Sequence, residues 1–147
     1  MSRKIFSIED GNLNVKPIIT SRKLAYQDID LSFAKRPSGD VYKKTDAAAV
    51  KQAIRNLILT SDTERPFNPY FGGNINSALF ELFEDYDEDA VRDRILNAIG
   101  NFEPRARVVK VGIRSTPDFN SLRIRIVFKV VSTAVLEELN ITLTRLR

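Results

Sequence analysis

The side chains able to do chemistry in this 147-residue chain are carboxylates, lysines, arginines and tyrosines, because cysteine and histidine are both absent. That absence excludes thiol nucleophiles, disulfides, thiolate or imidazole metal sites and any Ser-His-Asp triad. Gly72-Gly73 is a turn signal rather than a phosphate-cradling glycine loop, so no cofactor is expected. The most telling spacing is Glu103-Pro104-Arg105. Proline supplies no amide donor and pushes the residue before it towards an extended backbone. A carboxylate and a guanidinium are thereby set on either side of a rigid hinge. The planar fork of arginine can grip a carboxylate or a carbonyl. Two readings follow: an ion pair stapling one part of the fold to another, or a grip on a partner or substrate. Glu64 and Glu81 are other candidate acids, but nothing in their spacing singles them out.

Composition narrows the classes further. With 43% hydrophobic and 29% charged residues, the chain can bury one core of ordinary domain size. No apolar run approaches the ~18–20 residues that span a bilayer. Met1 to Phe6 begins basic without an apolar stretch behind it, so a secretory leader is not expected and folding in a cytoplasm is. The formal net charge is +4 but it is unevenly spread. Glu81, Glu84, Asp85, Asp87, Glu88, Asp89 and Asp93 make one segment acidic, whereas Arg105, Arg107, Lys110, Arg114, Arg123, Arg125, Lys129, Arg145 and Arg147 make the C-terminal half basic. These cations alternate along the chain without interleaved aromatics, which favours a solvated or protein-facing sheet over a nucleic-acid platform.

The hinge must be positioned by a helical half before it and a sheet half after it. Residues 1–25 read as a loosely structured arm, with a turn signal at Asp10-Gly11-Asn12 and a proline at 17. Residues 26–147 form the domain. Within it, Tyr26 to Phe33 alternates as a strand with Ile29, Leu31 and Phe33 on one face, and Pro37 to Asp40 is a turn. Thr45-Asp46 starts a helix ending near Thr60-Ser61, with Val50, Ile54, Leu57 and Ile58 on its apolar stripe and Lys51, Gln52, Arg55 and Asn56 away from it. Glu64 to Gly73 holds two prolines and two glycines, so it is a loop, pinned on the core by Phe67, Tyr70 and Phe71. Ile75 to Phe83 is a second helical segment, with Ile75, Leu79, Leu82 and Phe83 inward. A third helix starts at Asp87-Glu88-Asp89, where its dipole favours acids, and stops at Gly100. After Pro104 the period becomes two. Val109, Val111 and Ile113 share a face; a loop spans Thr116 to Asn120; Leu122, Ile124, Ile126, Phe128 and Val130 share a face; a last strand covers Leu139 to Arg145. The expected fold is α+β: about three helices on a mainly antiparallel sheet of three to four strands, one face packed and one polar.

Taken in order, Asp28 to Phe33, Gly39-Asp40, Ala49 to Thr60, Glu64 to Phe67, Phe71-Gly72 and Glu103-Pro104-Arg105 resemble the gene-twenty-five-like baseplate wedge family of contractile-tailed phages, over roughly residues 26–131. Type VI secretion machines have a similar subunit. The resemblance implies a small structural protein of the tail baseplate in the virion, assembled in the host cytoplasm, without small-molecule substrate, nucleic acid or membrane. It implies that Glu103, Pro104 and Arg105 hold the helical core bundle of neighbouring wedge subunits. The terminal strands would offer a platform for a strand of the tail sheath protein and so help start sheath assembly, with Arg123 and Arg125 near that contact and Arg65 in the partner-binding set. The family also carries an old lysozyme label, implying as the alternative a peptidoglycan hydrolase. Such an enzyme needs two carboxyl groups across a sugar cleft, one with a raised pKa. If Glu103 pairs with Arg105 it has the wrong environment for a general acid, since an adjacent cation lowers a carboxyl pKa. Tryptophan, a common sugar-stacking residue, is absent.

Overall fold

The computed structural model describes residues 26–78, 87–116 and 121–144. In chain order these form β1 (Gln27–Ile29), β2 (Lys43–Thr45), α1 (Asp46–Leu59), α2 (Ile75–Ala78), α3 (Glu88–Phe102), β3 (Ala106–Thr116), β4 (Ser121–Val130) and β5 (Leu136–Thr144). β1 and β2 pair antiparallel as a two-stranded sheet, and β3, β4 and β5 form an antiparallel meander with β4 in the centre. The architecture is thus α+β, as expected.

Period-two alternation decides the large sheet. Along β4, Leu122, Ile124, Ile126, Phe128 and Val130 are buried, while Arg123, Arg125 and Lys129 are exposed. Val111 and Ile113 of β3 and Leu139 and Ile141 of β5 extend the same inner face. α1 lays Val50, Ile54, Leu57 and Ile58 on it, and α3 adds Val91, Ile95, Ala98 and Ile99. Each such side chain contributes about 1.5–3 kcal/mol through removal from water. The acids at the start of α3 have the structural role expected of them. Asp87 accepts a hydrogen bond from the Asp89 amide, and Glu88 and Asp89 fill the first turn.

Four expectations need correction. The first strand stops at Ile29 instead of running to Phe33. Asp30 accepts from the Ser32 amide and Phe33 adopts φ 53°, a short-range turn that overrides the apolar alternation. Ile29, Leu31 and Phe33 are consequently exposed. Gln52, read as a solvent-facing residue of α1, is buried. Its amide donates to the Ile29 carbonyl at 2.8 Å, and its Oε1 accepts from Lys44 Nζ at 2.8 Å, so one side chain anchors the small sheet to α1. α3 does not stop at Gly100 but runs to Phe102, because Gly100 keeps helical hydrogen bonding and the Glu103 amide still reaches the Ile99 carbonyl at 2.9 Å. Val109 faces solvent, because a bulge between Val108 and Lys110 shifts the register of β3 against β4. The inward placement of Leu79, Leu82 and Phe83, the loop at 117–120, Arg145 and Arg147, and the arm at 1–25 lie outside the described residues.

Two surface carboxylates make the fold sensitive to acid. The Ser32 amide and then Lys44 hold Asp30 below its ordinary value of 3.8, and Arg125 and then Asn140 hold Glu138 below 4.5. A depressed folded-state pKa stabilises the fold above the ordinary value, and that stabilisation fades as pH falls through the lowered one. The melting temperature is therefore expected to be level above about pH 5 and to decline below the ordinary carboxyl values. Asp30→Asn should flatten part of that decline in a thermal titration; an unchanged slope would contradict the assignment.

Candidate partner-binding site

Glu103 is the C-terminal cap of α3, and Ala106 opens β3, so the hinge is only two residues long. Glu103 leaves the helix at φ −129°, ψ 73°, as the residue before a proline must depart from helical geometry. The Ala106 amide returns to the Glu103 carbonyl at 3.1 Å, and the Val131 amide donates to the Arg105 carbonyl at 2.9 Å, which ties the hinge to the end of β4.

The side chains close on each other. Arg105 Nε donates to Glu103 Oε1 at 2.5 Å and a terminal nitrogen donates to Oε2 at 2.7 Å, a fork-to-fork pair. Glu103 is only 5% exposed, whereas the Arg105 side chain retains 32%. The hydrogen bond to Glu103 raises the Arg105 pKa further above its ordinary value, so this cation is permanent. Its guanidinium also lies 5.4 Å from the centre of the Tyr26 ring. The ion-pair reading of the tripeptide is thus realised within the chain, and the remaining guanidinium nitrogen has no partner among the described residues. Pro104 is exposed and, with Leu96, Gly100, Arg107 and Val108, walls an open groove of about 500 Å³ between α3 and β3.

Arg65 joins this region through aromatic contacts. Its guanidinium sits 3.7 Å from the centre of the Phe71 ring, and Phe71 packs on Phe102, the residue before Glu103, with ring centres 4.9 Å apart. Phe71 therefore pins the loop as expected, but Phe67 and Tyr70 do not: they are 101% and 84% exposed. The structural corner is made instead by Gly72 and Gly73, which cross the end of α1. The Gly73 amide donates to the Leu57 carbonyl at 3.0 Å and the Asn74 amide to that of Thr60 at 3.2 Å.

Arg123 and Arg125 are not part of this cluster. They lie on the outer face of β4, seven and five residues from its end at Val130, or about 24 and 17 Å along the strand. Arg125 is held by Glu138 at 2.6 Å. The partner-binding residues expected from the sequence therefore fall on two surfaces, the hinge with Arg65 nearby and the outer face of the sheet with Arg123 and Arg125. No acidic cluster able to hold a metal occurs among the described residues. Glu64 accepts from the Ser61 amide at 2.9 Å as part of a loop turn, and Glu81 lies outside the described residues.

Comparison with known proteins agrees with this architecture. A protein of Geobacter sulfurreducens assigned as a candidate tail lysozyme shares the fold with a TM-score of 0.57 and 22% identity, over 67% of this chain and 89% of that one. A chain of the anti-feeding prophage baseplate also gives 0.57 and 22%, over 80% and 84%. In sequence, the baseplate wedge protein gp25 of Enterobacteria phage T4 is 30% identical over 106 residues, 72% of this chain and 80% of the phage protein. Residues 44–135 match the family described as baseplate wedge protein gp25, a span that contains α1, α2, α3, the Glu103–Arg105 hinge and the central strand. This chain belongs to the baseplate wedge protein gp25 family.

Proposed function

We propose that this subunit works by docking rather than by catalysis: the Glu103-Pro104-Arg105 hinge holds the helical core bundle of neighbouring wedge subunits, and the sheet margin accepts a strand of the tail sheath. The observation that carries the reading is Arg105. It is fixed by a bidentate bond to a buried acid yet keeps about a third of its side chain open, next in sequence to the exposed Pro104. A pre-ordered cation of this kind can receive a helix carbonyl or carboxylate without losing further side-chain freedom. The meander supports the second contact, since β3 and β5 each have one side unpaired by any strand among the described residues. Assembly would take place in the host cytoplasm before the subunit becomes part of the tail.

Hydrolysis fits the geometry poorly. Both oxygens of Glu103 are occupied by Arg105, which leaves no proton donor at the hinge. The purified protein should produce no clearing in a peptidoglycan zymogram, and clearing abolished by a single carboxylate substitution would reverse this conclusion. For docking, Glu103→Ala combined with Arg105→Ala should leave a folded domain that no longer enters wedges reconstituted from the other subunits. Normal incorporation of the double variant would refute the role given to the hinge.

A further inference from the structure

The outer face of the large sheet carries a second feature that docking at the hinge does not use. A trough of about 750 Å³ lies over the middle of the meander, floored by Gly112 and flanked by Arg114, Arg123 and Arg125. Two of its properties have no explanation within the domain. First, Gly112 lies in the interior of β3, where glycine weakens a strand. Its backbone does not require glycine, because positive φ is confined to Gly39 and Gly72 among the described glycines. Space does not require it either: an added Cβ would meet only the Arg125 carbonyl oxygen, at 4.0 Å. Second, the register places Arg114 directly opposite Arg123, and Arg107 directly opposite Lys129. Like charges in facing positions destabilise a sheet. None of these four forms an ion pair among the described residues.

The geometry points to a docking trough for an acidic polypeptide segment of another protein, its backbone passing close over Gly112 and its carboxylates received by Arg114 and Arg123. Glycine in a strand interior occurs at bulges and where another backbone approaches closely. The bulge of β3 lies upstream, between Val108 and Lys110, which leaves Gly112 to the second role. Facing guanidinium groups about 5 Å apart at Cβ suit carboxylates, which they bind bidentately. The chemistry selects protein over nucleic acid. No aromatic ring lines the trough for base stacking, and Glu138 on its wall is already paired with Arg125. Val127 on the same floor gives an apolar contact of the kind found within polar protein interfaces.

Two variants of the full-length protein separate this assignment from a merely solvated face. Gly112→Thr fills the floor with a residue that favours strands, and Arg114→Thr with Arg123→Thr removes the facing charges. Both should raise the melting temperature, by roughly 2–4 °C. The binding probe is a fluorescein-labelled sixteen-residue peptide of alternating glutamate and threonine, titrated at low ionic strength, with a 20-base-pair DNA duplex as the second probe. Both variants should bind the peptide at least tenfold more weakly than the parent, and added salt should weaken parent binding. The trough assignment is overturned if the parent does not bind the peptide, if Gly112→Thr binds as the parent does, if the variants melt lower, or if the duplex binds more tightly than the peptide. It is also overturned if sedimentation shows a salt-sensitive self-association that Arg114→Thr abolishes, since the occupant would then be a second copy of this chain.

Discussion

Arg105→Ala is expected to be more destabilising than Glu103→Ala, and more destabilising than the two combined. The reason is the asymmetry of burial: Glu103 is 5% exposed, while the Arg105 side chain is 32% exposed. Removing the arginine strands a buried carboxylate whose two oxygens lose both charge-assisted bonds, a loss of about 3 kcal/mol. Removing the glutamate leaves an arginine that can turn its head into water while its stem stays packed, which costs about 1–2 kcal/mol. Removing both leaves no stranded charge, so the double variant should cost less than the arginine variant alone. Urea unfolding of the three variants and the parent forms a double-mutant cycle, with a coupling energy of about 1–3 kcal/mol. Against the total stability of a small domain, the arginine variant should melt on the order of 10 °C lower. Arg105→Lys should fall between, because an ammonium keeps the charge but not the fork. Additive single-variant losses would show that the pair is an exposed bridge of little consequence. The milder double variant is also the one suited to assembly experiments, since it removes the grip with the least damage to the fold.

The parts of this structure that were legible in the sequence are those in which burial dictates the pattern. In β4 every second residue from Leu122 to Val130 is buried, and a shift by one position would send all five outward, so the periodicity admits a single reading. The same holds for the stripe of α1 from Val50 to Ile58. Short-range polar chemistry was harder to read. Tyr26 to Phe33 alternates as β4 does, but the bond from the Ser32 amide to the Asp30 carboxylate ends the strand and leaves Ile29, Leu31 and Phe33 exposed. Gln52 was misplaced because helical periodicity cannot foresee that β1 will need a donor and an acceptor at that spot. The bulge at Val109 inserts one residue, and one residue suffices to turn a valine outward. At the site, the hinge was legible because proline and the two flanking charges are local. The separation of Arg65 from Arg123 and Arg125 was not, because it depends on which side of a sheet a strand presents after the chain has folded.

Gly72→Ala is the second substitution with a large expected effect, although it adds only one methyl group. Gly72 has φ 138°, a conformation that side chains avoid, and a Cβ there would stand 2.4 Å from the Thr60 carbonyl oxygen. That oxygen belongs to the backbone at the C-terminal cap of α1 and already accepts from Asn74, so it cannot yield as a flexible side chain would. The loop must lift away, with loss of the Gly73–Leu57 and Asn74–Thr60 hydrogen bonds. Together with the backbone strain this should cost about 2–4 kcal/mol. Gly73→Ala meets the Ile58 Cα at 3.0 Å, a lesser clash at a backbone without positive φ, and should cost less. Gly100→Ala is the informative contrast. It lies inside α3, a Cβ there meets nothing within 4 Å, and alanine should stabilise that helix by roughly 0.5–1 kcal/mol. Thermal melts of the three variants should therefore rank Gly100→Ala above the parent, with Gly73→Ala below it and Gly72→Ala lowest. The consequence extends to the hinge. Lifting the loop draws Phe71 from Phe102, and Phe102 is joined covalently to Glu103, so Gly72→Ala should also impair wedge incorporation at temperatures where the domain remains folded. If that variant melted with the parent, the close crossing of loop and helix would be wrong, and with it the support of the Glu103–Arg105 pair from this side.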